Sequence, residues 1–281
     1  MSADIFASQP ADEDRLAELY DLEHDELTED LDFYRELTRR TAGPVLDLGC
    51  GSGRLFRTLL DGGAPRILGI DASPALLRRA EARIASDERL AAAARDGRLS
   101  VMRGDVRAIS TLNIRERFDL AVAVGVLPHL DGPEDALRLL GGARSVLARG
   151  GKLVIDDLGP GEMPVRDMPL SIDWRREIDG REVVRRSELV RRESPEGLRV
   201  AFSTIADAVQ PDGTIARLPA SHQLWYPSPE ALSALVKQAG MVVELSYGSH
   251  DLEPLGRESG RRIYVVAYQF AATPSQEVKV G

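Results

Sequence analysis

One cysteine, Cys50, in 281 residues leaves no partner for an internal disulfide. A reducing, cytoplasmic compartment is therefore the expected setting. Lysine is almost absent and arginine supplies nearly all of the positive charge, a bias that reads as genome base composition rather than function. Apolar runs are short. None approaches the roughly 18 residues a membrane-spanning helix needs, and the amino terminus lacks a basic-then-apolar leader, so a membrane is not an expected partner. Positive charge is also in deficit: 36 Lys and Arg stand against 45 Asp and Glu, a net charge of −9. That balance disfavours a large phosphate-binding surface, and with it a nucleic-acid partner. Among the few histidines, His222 and His250 lack metal-ligand spacing, and nothing suggests a metal site. What remains is an ordinary globular composition, 43% hydrophobic and 29% charged. The length suits one large domain or one domain carrying an elaborated insert.

The most informative stretch is Val45-Leu-Asp-Leu-Gly-Cys-Gly-Ser-Gly-Arg54. A short apolar run broken only by Asp47 leads into Gly49, Gly51 and Gly53. This fits a buried parallel strand feeding a tight turn. Without Cβ atoms the glycines can take positive φ and let the backbone approach a ligand closely. Leu55, Leu59 and Leu60 follow at roughly helical spacing, so the turn is expected to open a helix whose amino end faces that ligand. Cys50, inside the turn, reads as a small buried filler.

Strand and helix signals alternate through the first half of the chain. Two amphipathic helices are expected over 15–22 and 28–40, the second capped by Thr28 with Glu29, Asp30 and Asp32 in its first turn. Strands follow at 45–48, 66–70, 99–102, 120–124 and 152–155. A helix begins at Ser73-Pro74 and another spans 134–147. Such alternation predicts a parallel α/β sheet with right-handed crossovers. From about Pro160 the pattern changes to strands without helices, 174–178, 182–190, 198–209 and 214–224, separated by Asp179-Gly180, Pro195-Glu-Gly197 and Pro211-Asp-Gly213 turns. A helix at 229–238 ending before Gly240, then strands at 242–247 and 262–270, would close the sheet. The expected division is a helical cap (1–42), a ligand-binding core (43–159), an antiparallel β insert (160–226), a carboxy-terminal part of the core (227–271) and a flexible tail (272–281), with the first dozen residues frayed.

Two further acids fall where a nucleoside would lie. Asp71 ends the second strand about twenty residues after the glycines, beside the crevice that an open α/β sheet offers a ribose. Asp105, in Gly104-Asp105-Val106 after the third strand, is placed to accept from an adenine amino group, with Val106 over the ring. A dinucleotide fingerprint would set its third glycine two residues after the second. Here Arg54 holds that place and Gly53 comes one step early, which makes dinucleotide binding the weaker reading.

The glycine turn, Asp71 and Asp105, in this order, resemble the class I S-adenosylmethionine-dependent methyltransferases, over about 20–158. The resemblance implies a Rossmann-like, seven-stranded, mostly parallel sheet with an antiparallel β meander inserted after strand five, and S-adenosyl-L-methionine as cofactor. It implies that Gly49, Gly51 and Gly53 pack against the methionine part, Asp71 holds the ribose and Asp105 the adenine. Asp47 would meet the cofactor amino group, directly or through the loop backbone. Ala72 and Val124 are placed among the cofactor contacts with Val106. Arg54 is open to two readings, a contact to the cofactor carboxylate or an ion pair with a helix residue.

Two segments carry candidate chemistry. His129, in Leu127-Pro128-His129 just past strand four, lies at the carboxyl edge of the sheet and titrates near neutrality. Its readings are a base facing the acceptor and a histidine bonded to a loop. The other segment is Tyr20-Asp-Leu-Glu-His24, ahead of Phe33-Tyr34. An amino-terminal Tyr-Asp motif paired with a histidine after strand four resembles the N,N-dimethyltransferases of nucleotide-linked amino sugars and related small-molecule enzymes. That resemblance puts Tyr20, His129 and Tyr34 near the site; Tyr34 is equally suited to the core. In the insert, Trp174, Trp225 and Tyr226 stand amid Arg175, Arg176, Arg181, Arg185, Arg186, Arg191 and Arg192. These arginines suit the wet face of a half-exposed sheet; the alternative is contact with an anionic acceptor or with acids of a second subunit in a homodimer. The expected activity is methyl transfer to nitrogen or oxygen of a small-molecule acceptor. Its rivals are carbon methylation of an enolic or prenyl-type acceptor, a regulatory module that binds the cofactor without catalysis, and a nucleic-acid methyltransferase. The last is disfavoured by acidic charge and by Val124–Pro128 standing where an Asn/Asp-Pro-Pro-Tyr motif would.

Overall fold

The computed structural model describes residues 12–178 and 180–268. The expected frayed amino terminus, Asp179 of one turn, the end of the last strand and the flexible tail lie outside the described residues.

The run before the glycines is strand β1 (Val45–Leu48), and all four of its residues are buried. Its neighbours are β2 (Ile67–Asp71), equally buried, and β4 (Phe118–Val124). Burial on both faces is what a central parallel strand requires, and it explains why these strands read as continuous apolar runs rather than alternations. With β3 (Leu99–Arg103), β5 (Leu147–Leu158), β10 (Met241–Tyr247) and β11 (Arg261–Tyr268) they form a seven-stranded sheet in the order β10-β11-β5-β4-β1-β2-β3. Every pairing is parallel except those of β11 with β5 and β10. The order reverses between β1 and β4, so their connections leave in opposite directions and a crevice opens beyond their carboxyl ends. One core cluster, centred on Leu46, Ala121, Leu139 and Trp225, covers one face of the sheet; a second, centred on Val45, Phe56, Val122 and Tyr34, covers the other.

The meander is a separate four-stranded antiparallel sheet of β6 (Met168–Ile178), β7 (Arg181–Ser194), β8 (Gly197–Val209) and β9 (Ile215–Pro227). Val183, Ala206, Ala208 and Leu218 on one of its faces bury Leu19 of α1 (Asp12–His24). Burying one leucine contributes about 1.5–3 kcal/mol, more than the exposed ion pairs along the same helix, Arg78–Asp14 among them, at about 0–1 kcal/mol each.

Several boundaries differ from the sequence-based expectation. Helix α2 starts at Leu31 (Leu31–Thr41), not at Thr28, and no side chain caps it; Asp30, at the cap position, instead binds the Arg54 guanidinium. The glycine turn continues to Leu55 before a short α3 (Phe56–Asp61), so no helix amino end abuts Gly51. Strand β5 is far longer than expected: its start at Leu147 pairs with Phe118 of β4, and its end is carried to Leu158 by pairing with β11. Helix α5 (Glu88–Arg95), capped by Asp87, was not anticipated. Helix α4 (Pro74–Ser86) has the expected cap: Ser73 Oγ accepts from the Leu76 N–H at 3.3 Å. Helices α6 (Pro133–Val146) and α7 (Pro229–Gln238) complete the layers.

Candidate functional site

Gly49, Gly51 and Gly53 all sit at positive φ (68°, 55° and 77°), a region that costs any other residue strain. Their surroundings differ. A Cβ on Gly49 would lie 2.6 Å from Val126 and one on Gly53 2.4 Å from the Phe56 ring, so both are held bare by packing. A Cβ on Gly51 would meet nothing closer than Tyr20, at 3.7 Å. Gly51 is thus the one of the three where a small side chain would touch the Tyr20 ring without a clash.

Asp71 stitches this turn to the end of β2. Its Oδ2 accepts the Gly51 N–H and its Oδ1 the Ser73 N–H, each at 2.8 Å. Asp47 is buried behind the turn, and burial pushes its carboxyl up to about 7; Arg54 opposes that rise and Asp71 adds to it. Burial likewise drives the Cys50 thiol well up, which leaves it an inert filler.

Above the turn lies a cavity of about 690 Å³. Its walls are Leu16, Leu19 and Tyr20 of α1, the Ala72-Ser73-Pro74 shoulder after β2, His129 after β4, and Arg185, Phe202, His222 and Leu224 of the four-stranded sheet. Tyr20 is 39% exposed there, its ring stacked on His24 at 3.9 Å. Loss of water around its hydroxyl raises that group to about 12, with Arg54 opposing. His129 and His222 open onto the same space with ring centroids 5.9 Å apart, edge to face. Burial by the cavity walls, then the charge of His222, lowers the His129 pKa; burial and Arg185 lower that of His222.

The structure thus brings Tyr20, Ala72 and His129 to one cavity, with Gly51 beside Tyr20 and Asp71 bonded to the Gly51 and Ser73 N–H groups next to its lining. Other candidates have partners within the fold. Arg54 forms a bidentate ion pair with Asp30 and donates to the Leu27 carbonyl, the helix-residue alternative of its two readings. Tyr34 is fully buried, and its hydroxyl donates to Asp156 at 2.6 Å. Asp156 also accepts from Arg261 and is bonded to His250. Asp105 caps the 3₁₀ turn Val106–Thr111 and holds the Arg107 guanidinium, which also reaches Asp135. Val106 and Val124 are half-buried beside the core.

Sequence reasoning passed over His222, Phe202 and the specific role of Arg185. Arg185 enters the cavity wall at 14% side-chain exposure, paired with Glu23 at 2.5 Å and with Asp173. It clamps α1 to the meander, assisted by Trp174 Nε1 donating to Glu23. The available signal was period-two alternation: Ala220, His222 and Leu224 share one face of β9, paired with Thr204, Phe202 and Val200. Among the described residues no group of three or more metal-ligating side chains is assembled, and no helix is long and apolar enough to cross a membrane.

Residues 45–151 match the family model of a methyltransferase domain. A tRNA U34 carboxymethyltransferase from a Shewanella species is 39% identical over 114 residues, 41% of this chain and 31% of that protein. The chain thus spans less than a third of the length of the curated relatives it matches. An S-adenosylmethionine-dependent methyltransferase from Clostridium acetobutylicum superposes with a TM-score of 0.71 at 17% identity, covering 91% of this chain and 98% of that one. The sugar N-methyltransferase KedS8 from a Streptoalloteichus species does so with a TM-score of 0.68 at 20% identity, covering 90% and 92%. The chain contains a methyltransferase domain, and its fold is the Rossmann-like one of class I methyltransferases, with the meander included in the likeness.

Proposed function

We propose that this chain is a cytoplasmic enzyme that transfers a methyl group from S-adenosyl-L-methionine to nitrogen or oxygen of a small-molecule acceptor. The observation that carries the reading is the shared cavity: the Ala72-Ser73-Pro74 shoulder after Asp71, Tyr20 and His129 border one space of about 690 Å³, and Gly51 lies next to Tyr20. The residues fit the cofactor. Gly51 leaves room that a side chain would fill, Asp71 presents a carboxylate at the shoulder for the ribose hydroxyls, and Asp47 lies behind the turn for the amino group. Bound there, the cofactor supplies a methyl group on a positively charged sulfur that leaves as a neutral thioether.

The chain's own residues then have two tasks, alignment and proton handling. Tyr20 orients the acceptor from the α1 side. His129, kept neutral near pH 7 by its lowered pKa, accepts the proton of an N–H or O–H acceptor. Leu16, Leu19, Phe202 and Leu224 supply apolar wall for the body of the acceptor. The relatives' tRNA acceptor does not travel with a match to 41% of this chain, and the net charge of −9 opposes it.

Labelled methyl transfer from S-adenosylmethionine to a panel of amines, phenols, carboxylates and unmodified tRNA tests the reading. Transfer to an amine or phenol supports it. Transfer to tRNA alone overturns the acceptor class, and cofactor binding without transfer to any acceptor favours a regulatory binding module.

A further inference from the structure

The described histidines divide into two kinds. His24 Nδ1 is bonded to the Tyr20 carbonyl and His250 Nε2 to Asp156, each at 2.8 Å. Each thus has one ring nitrogen engaged within the fold. The imidazole rings of His129 and His222 make no hydrogen bond among the described residues, and they meet edge to face at 5.9 Å between centroids. They arrive from distant parts of the chain, one on the 3₁₀ turn Leu127–His129 after β4 and the other in the middle of β9. Phe202 stands opposite His222 in the β8–β9 register and lines the same cavity. Both residues are exposed and line the cavity, so their ring nitrogens are open to a polar molecule that enters it.

We propose that His222 is a second acceptor-facing residue, and that the acceptor's N–H or O–H group is held between His222 and His129. This deepens the methyltransferase reading and rests on it. A neutral imidazole has one donor and one acceptor nitrogen. One ring takes the hydrogen of the acceptor group, and the other donates to a second polar atom of the same molecule. Two such contacts fix the rotation of the acceptor, which one contact leaves free, and so aim its lone pair. The pair is also electrically coupled, since each ring opposes a positive charge on the other. The remaining titratable groups facing this space are Glu13, Tyr20, Glu23 and His24 of α1 and Arg185 of β7, with Asp71 beyond the shoulder.

The test uses the full chain labelled with ¹⁵N-histidine, its four imidazoles assigned by single replacements, with benzylamine and phenol as probes and S-adenosylhomocysteine present. The proposal expects at least one probe to move the His129 and His222 resonances along one binding isotherm. His222→Phe, which keeps a ring but removes its nitrogens, should weaken that probe tenfold or more with S-adenosylhomocysteine affinity unchanged. It should also move the His129 titration to higher pH, because a like charge is removed. His222→Gln should restore part of the probe affinity, which separates lost hydrogen bonding from misfolding. A probe that moves His129 alone, equal probe affinity in His222→Phe, or uptake of neither probe overturns the proposal. Failure of S-adenosylhomocysteine to bind the natural chain instead marks the cofactor reading as wrong. Titration of the probes into the free protein then still decides whether His222 faces what enters.

Discussion

Asp47 offers a prediction whose size follows from its surroundings. The carboxyl is 3% exposed, and burial raises it from 3.8 to about 7. In the unfolded chain it ionises near 3.9. Between those values the folded protein keeps a proton that the unfolded chain has released, so stability falls as pH climbs from about 4 to about 7 and levels off above. Each tenfold difference in proton affinity between the two states is worth about 1.4 kcal/mol, which sets a ceiling of about 4 kcal/mol over the window. Asn has the same shape and cannot ionise. Asp47→Asn should therefore gain on the natural chain with rising pH, by about 2–3 kcal/mol between pH 5 and pH 8. For a chain of this size that is roughly 3–5 °C in Tm. Scanning calorimetry of both proteins without ligand, at intervals from pH 5 to 8, reads the effect. A Tm difference that stays constant across this range would refute the burial argument. The same carboxyl should lose its proton when S-adenosylhomocysteine brings an ammonium group beside it. Calorimetric titrations near pH 6.5 in two buffers of unlike ionisation heat should then show proton release in the natural chain and none in Asp47→Asn.

Three other outcomes follow from the site. Asp71→Ala removes the acceptor of the Gly51 and Ser73 N–H groups together with the proposed ribose contact, and should weaken S-adenosylhomocysteine tenfold or more, at about 1.5–3 kcal/mol per charge-assisted bond; unchanged affinity by calorimetry counts against that role. His129→Ala should lower kcat by at least about tenfold with cofactor affinity nearly unchanged, and the loss should shrink at high pH where the acceptor sheds its own proton; wild-type kcat across pH 6–9 removes the base. Gly53→Ala forces a methyl group to within 2.4 Å of the Phe56 ring at a φ of 77°, so the ligand-free Tm should drop by several degrees; an unaltered Tm would show that the ring yields freely.

Much of the architecture could be read from the chain because its signals are local. Val45–Leu48 is buried on both faces and carries no polar residue except Asp47, so periodicity and the glycines together identify it. Ser73-Pro74 announces α4 by cap chemistry alone. The helix at 229–238 coincides with α7 (Pro229–Gln238) for the same reason, Ser228 Oγ accepting from Ala231. Errors arose where a distant residue decided. Asp30 was expected inside a capped first turn, but Arg54, twenty-four positions on, takes its carboxylate. Strand β5 runs past Asp156 because β11 pairs with Asp157 and Leu158. His222 was legible as one of a row on a strand face, yet its relation to His129 depends on how the meander folds over the crevice. Tyr34 shows the converse. Nothing in a helical pattern reveals that its hydroxyl is committed to Asp156, one hundred and twenty-two residues away.

The central claim is that the turn at Gly51 is a binding site for a sulfonium nucleoside. The most direct measurement is calorimetric titration of the natural chain and of Gly51→Val with S-adenosylhomocysteine and with NADH. The account predicts one molecule of S-adenosylhomocysteine bound per chain, no binding in Gly51→Val although that protein remains folded by circular dichroism, and negligible heat from NADH. Tighter binding of NADH than of S-adenosylhomocysteine, or equal S-adenosylhomocysteine binding by the two proteins, would contradict it.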